Sequence, residues 1–279
     1  MPFQYFRVID GELVVKGYEP DGDSVRFIPK DPSLFHGLRN EHMARPSKDG
    51  SYQLRFEGID APELHYGIQA QPLGDKERDV LMKLVGFTNT YSGTKVTKSS
   101  PDAVAAHILT KAFDPHGRPI AYVLAGKPPG KAGDVVKVGT DVLAHSFNGE
   151  MVVRGAAYSL LYSSTPPEHR AWFKAKAAEA RREHIGVWAE DSSPAFKFAG
   201  LPSVTPPHGA LIFPKLFRRC IDCTKAGYAN LGDWLRATPQ ENDRVIVHNV
   251  EVHLSELLVQ QNNRVSVQGD ILDMLFVEK

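Results

Sequence analysis

The stretch Tyr52-Gln53-Leu54-Arg55-Phe56-Glu57-Gly58-Ile59-Asp60-Ala61-Pro62-Glu63 decides how this chain is read. From Tyr52 to Glu57 apolar and polar side chains alternate, the period-two pattern of a half-buried strand. Pro62 locks its own φ and pushes Ala61 towards an extended conformation. One cation, Arg55, and two carboxylates, Asp60 and Glu63, therefore fall where a strand ends and a loop begins. Functional groups are commonly carried there by a rigid scaffold. Arg55 and Asp60 are five positions apart, so an unbroken strand would point them to opposite faces. They can share a site only if the strand breaks by Ile59, and Gly58 is the natural place for that.

Upstream, residues 4–18 read as one or two strands, Glu19–Asp23 as a turn, and Ser24–Ile28 as the returning strand. Residues 29–50 are polar and contain three prolines, which reads as a surface insertion. Folding of that insertion over a neighbouring cleft is the other option. Downstream, Gly74-Asp75 starts a helix with Val80, Leu81, Leu84 and Val85 on one face. Ala103–Phe113 and Ile120–Ala125 form a hairpin around Asp114-Pro115-His116-Gly117-Arg118, and Gly126–Gly139 is a second insertion. A helix is expected near Leu143–Arg154, ending at Gly155. Thr165-Pro166-Pro167-Glu168 has capping-box spacing and opens a helix that runs through Glu183.

The expected organisation is a main domain over residues 1–192, a proline-rich linker over 193–209 and a small α/β accessory unit over 210–279. In that last unit Tyr228–Ala237 reads as helix, and Val245–Leu254 and Arg264–Val277 as extended chain. The fold class is α+β, mainly β.

The 279 residues carry 33 basic and 33 acidic side chains. From residue 195 onward there are nine of each, so neither portion is a polyanion trap and nucleic-acid binding has to rely on local charge or a metal. No apolar run approaches the roughly 18 residues of a membrane span. The start of the chain lacks the layout of a secretory signal, and two cysteines fit a reducing compartment, so the expected location is cytoplasmic.

Hydrolysis of a phosphodiester requires neutralising the charge that builds on phosphorus oxygens, activating water and holding both in line. Carboxylates bind a hard divalent cation, guanidinium groups grip phosphate oxygens, and a carboxylate beside the water serves as base. The sequence offers Asp23 and Asp60 as metal ligands, Arg55 and Arg118 as phosphate clamps and Glu63 as the base. Taken singly, each has an ordinary structural explanation: a turn aspartate, a hairpin arginine, a solvated glutamate.

The combination, in order, is what carries the assignment. Asp21-Gly22-Asp23-Ser24-Val25, Arg55 through Asp60-Ala61-Pro62-Glu63, Gln71-Pro72-Leu73-Gly74, Asp114 to Arg118 with Ala121-Tyr122, Arg154-Gly155-Ala156-Ala157 and Gly186-Val187-Trp188 together resemble the staphylococcal nuclease (thermonuclease) family. The likeness covers about residues 10–191, interrupted by the two insertions. It implies an OB-fold-like five-stranded barrel with three helices, one calcium ion, and cleavage of single-stranded DNA or RNA to 3′-phosphate and 5′-hydroxyl ends. By position, Asp23 and Asp60 match the metal carboxylates, and Ala61 the residue lending a backbone carbonyl. Arg55 and Arg118 match the phosphate-binding arginines, and Glu63 the general base. Tyr162 falls one position out of register with the first of two substrate-touching tyrosines and is the candidate substrate contact. The alternative is a non-catalytic module that binds nucleic acid or protein through an OB-like surface.

Cys220 and Cys223, with His248 and His253, have spacings tolerable for zinc. The histidines are five apart on an expected strand and would face opposite ways, so plain packing cysteines are the expectation, with a redox-active dithiol as another option. Lys215, Arg218, Arg219 and Lys225 around them read as a solvated face.

Overall fold

The computed structural model describes residues 4–278; the first three residues of the expected 1–192 unit, and Lys279, lie outside them. Alternating burial along Tyr5–Val14 makes β1 the central strand of the main sheet. β2 (Arg26–Pro29), β3 (Tyr52–Gln53), β4 (Arg55–Phe56) and β5 (Ile59–Asp60) follow, then a separate hairpin of β6 (Thr88–Ser92) and β7 (Lys95–Ser100). The long β8 (Ala103–Phe113), β9 (Pro119–Leu124) and β10 (Val135–Lys137) complete this part. The main sheet has seven strands in the order β3-β2-β1-β8-β9-β4, with β10 also on β1. Only Leu54 separates β3 from β4, so the two ends of that path meet and the sheet is a nearly closed barrel. Backbone bonds from Leu54 to Val25 (2.9 Å) and from Phe56 to Asp23 (3.0 Å) hold the seam. Short breaks divide the chain at the seam, and β10 pairs with the first residues of β1, so the sheet is cut into more segments than the five strands expected.

Helices pack around this barrel: α1 (Gly74–Val85), α2 (Thr140–Ala144), α3 (Phe147–Val153) and α4 (Pro167–Arg182). The single helix expected near Leu143–Arg154 is split because Ser146 caps a new start, accepting from the Gly149 amide at 3.0 Å. The expected Thr165 cap does not form. Pro166 takes the N-cap position, and the Thr165 hydroxyl donates instead to Glu57 Oε1 at 2.6 Å. Gly58 has φ +82°, and an added Cβ would lie 2.7 Å from the Phe173 ring of α4, so both backbone and packing demand glycine there.

β11 (Tyr158–Ser159) and β12 (Leu161–Tyr162) lead from the barrel to the remaining strands: β13 (Ala195–Lys197), the hairpin β14 (Arg244–Val247) and β15 (Val250–His253), β16 (Leu258–Gln261), β17 (Arg264–Val267) and β18 (Leu275–Phe276). α5 (Pro214–Lys225) and α6 (Leu231–Ala237) lie among them. Residues 193–209, expected as a linker, contain β13, which pairs with β17, and bury Phe196, Phe198 and Val204. The 29–50 insertion is mostly exposed and is anchored by Phe35, which packs on Tyr52 and Phe113 with ring centroids 4.7 and 5.2 Å away. One buried apolar cluster runs from the barrel into the C-terminal unit, with β12 parallel to β18 and Phe213 against Tyr158. Among the described residues no helix is long and apolar enough to cross a membrane.

Candidate active site

The strand of the opening stretch breaks at Glu57-Gly58. β4 runs parallel to β9, whereas β5 pairs antiparallel with β11 through Asp60 and Tyr158. The turn at Gly58 brings Asp60 round to the side of Arg55, and the two interact electrostatically. Asp23 is carried to the same place because its carbonyl accepts from the Phe56 amide. Asp21, read from sequence only as a turn residue, ties the two acidic loops together. Its Oδ1 accepts from the Gly22 amide at 2.7 Å and from the Leu64 amide at 3.2 Å.

Each remaining motif has a mechanical role. Gly22 sits so close to Ala61 that an added Cβ would be 2.6 Å from the Ala61 methyl. Ala61 itself is buried directly after β5, beneath that turn. Gln71 accepts from the Glu63 amide at 3.1 Å and donates to the Ile212 carbonyl at 2.5 Å, clamping the Glu63 loop to the C-terminal unit. At Gly74 an added Cβ would lie 2.4 Å from the Glu63 carbonyl, so only glycine lets α1 start there. Asp114 is buried and holds Arg118, accepting from its amide at 2.9 Å and from its Nε at 2.7 Å. That leaves the Arg118 side chain 32% exposed, fixed at its base and open at its tip.

Arg218 was not expected here at all. It projects from α5 onto the acidic pair, with Nη2 2.9 Å from Asp60 Oδ2, Nη1 3.1 Å from Asp60 Oδ1, and Nη1 also on Glu63 Oε1. The signal was present in the sequence, since Lys215, Arg218, Arg219 and Asp222 recur at i, i+3, i+4 and i+7 and share one helical face. That face is turned inward rather than into solvent. Lys215 and Arg219 are buried and pair with Asp243 at 3.3 and 2.8 Å, and Asp222 accepts from the Tyr66 hydroxyl at 2.7 Å.

The acid cluster is short of positive charge even with Arg218 present. Burial and the Asp60 and Glu63 carboxylates push Asp23 up to about 7, against the opposing pull of Arg118 and Arg218. Burial, with Asp23 and Glu63, raises Asp21 well above the usual range. Burial raises Glu63 despite Arg218, with Asp60 adding to the rise. The donor set of Asp23, Asp60 and the Ala61 backbone is all oxygen, which suits a hard cation such as calcium. Both Asp60 oxygens are engaged by the Arg218 fork, however, so such an ion would meet a competing cation on the same carboxylate.

On the other side of Arg55 lies a cavity of about 420 Å³, lined by Arg39, Arg55, His116, Tyr162, Lys215 and Arg219 among others. Tyr162 lies between two cations. Arg55 Nη2 donates to its hydroxyl at 3.1 Å, and Lys215 Nζ is 3.4 Å away. Burial would raise its phenol, but Arg55 and Lys215 outweigh that and lower it.

Cys220 and Cys223 lie on α5, both buried, and burial pushes the Cys223 thiol up to about 11. His248 sits in the β14–β15 turn, and the His253 ring faces the Asn242 carbonyl at 3.4 Å. Among the described residues no three His, Cys, Asp or Glu side chains are arranged to hold a metal ion as they stand.

Residues 53–190 match the family model described as staphylococcal nuclease homologue. This chain carries a staphylococcal nuclease homologue domain. Arg55, Asp60, Ala61, Glu63, Arg118 and Tyr162 lie inside the matched span of the nuclease homologue domain, whereas Asp23 and Arg218 reach the site from outside it. No curated protein matches the chain.

Proposed function

We propose that the chain is a calcium-dependent nuclease that hydrolyses phosphodiester bonds of single-stranded DNA or RNA, leaving 3′-phosphate and 5′-hydroxyl ends. What carries this reading is the convergence of Asp23, Arg55, Asp60, Glu63 and Arg118 from three separate segments onto one charged cluster beside a cavity lined by cations and carboxylates. Asp23, Asp60 and the Ala61 carbonyl would hold the calcium ion, which would offer a fixed double charge to the anionic phosphate oxygens. Arg55 and Arg118 grip those oxygens, Arg118 with its direction set by Asp114. Glu63 takes a proton from water as the new P–O bond forms. The bond to the 5′-oxygen breaks, solvent water gives that oxygen a proton so that it leaves as the hydroxyl, and Glu63 returns its proton to solvent. Tyr162, anchored by Arg55, would meet the substrate in the cavity.

Incubating the protein with single-stranded DNA and RNA, with calcium and then with chelator, tests the reading. Cleavage supported by calcium and abolished by chelator, with 3′-phosphate on the products, is the expected result. Arg118→Ala should slow turnover on the order of 10²–10³-fold, as for loss of one preorganised donor. Unchanged turnover in a folded Arg118→Ala protein would refute the assigned mechanism.

One observation favours a second reading. Arg218 already pairs with both Asp60 and Glu63, as in an acidic site that serves structure. A non-catalytic module binding nucleic acid or protein would bind single strands without cutting them under any metal condition.

A further inference from the structure

We infer that Arg218 is the chain's own counter-cation for Asp60 and Glu63, and that it competes with the divalent cation for Asp60. The inference rests on the reading of Asp23 and Asp60 as metal ligands. The guanidinium takes both oxygens of Asp60 in a fork, at 2.9 and 3.1 Å, and reaches Glu63 as well. A guanidinium fork takes one in-plane lone pair on each carboxylate oxygen, the pairs through which a divalent ion would hold both oxygens at once. Guanidinium and metal also repel each other at such a distance. The two occupants therefore compete for Asp60.

The helix that delivers Arg218 is not free to withdraw. Phe217, Cys220 and Ile221 are buried on either side of it in sequence, and Phe213 just before α5 packs on Tyr158 at 5.7 Å between ring centroids. Tyr66 holds Asp222, and Gln71 holds the Ile212 carbonyl at the start of the segment. What can move is the long side chain, through rotation about its own bonds. The C-terminal unit thus sets the calcium requirement of a site whose other residues belong to the barrel. With the fork in place one positive charge is already set against the acidic pair and metal binds weakly. With the fork displaced Asp60 is released to the ion and Glu63 to its water.

Calcium binding to the full chain, measured by titration calorimetry, compares the wild type with Arg218→Gln and Arg218→Lys. Removing the competitor should tighten calcium binding at least about 10-fold in Arg218→Gln, because the apparent affinity no longer carries the cost of displacement. Arg218→Lys keeps the charge, loses the fork, and should fall between. Thermal unfolding gives a second readout. Arg218→Gln should melt below the wild type in chelator, and calcium should raise its Tm by more than it raises that of the wild type. Should Arg218→Gln fail to fold, the lysine variant decides by the same comparison. Equal or weaker calcium affinity in the variants, or no calcium binding by any of the proteins, overturns the inference. Failure of the nuclease reading looks different: tighter calcium binding in the variants with no strand cleavage at saturating calcium.

Discussion

Glu77 offers a test of how the platform beneath the acidic loops is balanced. It sits on α1, is 1% exposed, and its Oε1 has no hydrogen-bond partner among the described residues. Burial raises its carboxyl to about 7 from an ordinary 4.5, with Lys76 opposing and Glu190 adding slightly. The folded protein therefore holds this proton more tightly than the unfolded chain does. Stability from this residue is full below the unfolded value and is lost as pH rises through the folded one. Between 4.5 and 7 the loss grows to about 3 kcal/mol at pH 8, and it is about 1 kcal/mol at pH 5. Glu77→Gln keeps the shape and cannot ionise, so its stability relative to wild type should improve by roughly 2 kcal/mol on going from pH 5 to pH 8. Urea unfolding of both proteins at the two pH values measures this double difference, in which the titrations of other groups cancel. A relative stability that does not change with pH would show that Glu77 titrates normally, and the argument from its burial would fall.

Other positions yield sharper consequences for the site. Gly22→Ala drives a methyl to within 2.6 Å of the Ala61 methyl, so it should cost about 1–3 kcal/mol and displace Asp23, with activity falling. Adding Ala61→Gly should restore much of both, and a double variant as impaired as the single would count against the contact. Asp114→Ala frees the base of Arg118, so turnover should drop towards that of Arg118→Ala while the double variant is no worse than Arg118→Ala alone. His169 is buried, with Nε2 donating to the Val138 carbonyl at 2.8 Å and Nδ1 accepting from the Tyr122 hydroxyl at 2.9 Å. Burial lowers its basicity, so stability should be lost as pH falls below about 6.5, where the unfolded ring takes a proton. In His169→Gln that part of the acid-side slope should be absent, as read by thermal unfolding across pH 5 to 7.

Much of the barrel and its acidic wall was legible because the signals were local. Alternation from Tyr52 marked the strand, and the odd spacing of Arg55 and Asp60 demanded a break that the positive φ of Gly58 provides. The Asp114–Arg118 hairpin was legible for the same reason, a turn motif between two apolar runs. Less could be read where a side chain chose a distant partner over its neighbour. Thr165 had the spacing of a helix cap, yet its hydroxyl gains a buried carboxylate, Glu57, that lies far away in sequence. Phe35 in the 29–50 segment found two aromatic rings that no periodicity announced. The basic face of α5 was hardest, because charges at i, i+3 and i+4 look alike whether they meet water or a buried carboxylate.

A chain of zero formal charge nonetheless separates its charges locally around Arg55. Asp21, Asp23, Asp60 and Glu63 lie on one side of Arg55, and Arg39, Tyr162 with its two cations, Lys215 and Arg219 lie around the cavity on the other. Asp243 already neutralises part of the Lys215 and Arg219 charge, so the cavity is a weaker anion site than its residue names suggest. Arg55 is different. Its hydrogen bond goes to a phenol, and its nearest carboxylate, Asp60, is shared with Arg218. A phosphate arriving between the two sides would meet Arg55 with much of its charge unspent. Were a cation to draw Asp60 away from Arg218, that second guanidinium would be released a short distance from the same phosphate. Binding of metal and binding of substrate are then coupled through the one carboxylate that both arginines sense. Calcium should therefore tighten binding of a non-cleavable single strand in the wild type more than in Arg218→Gln, and a strand affinity indifferent to calcium in both proteins would remove the coupling.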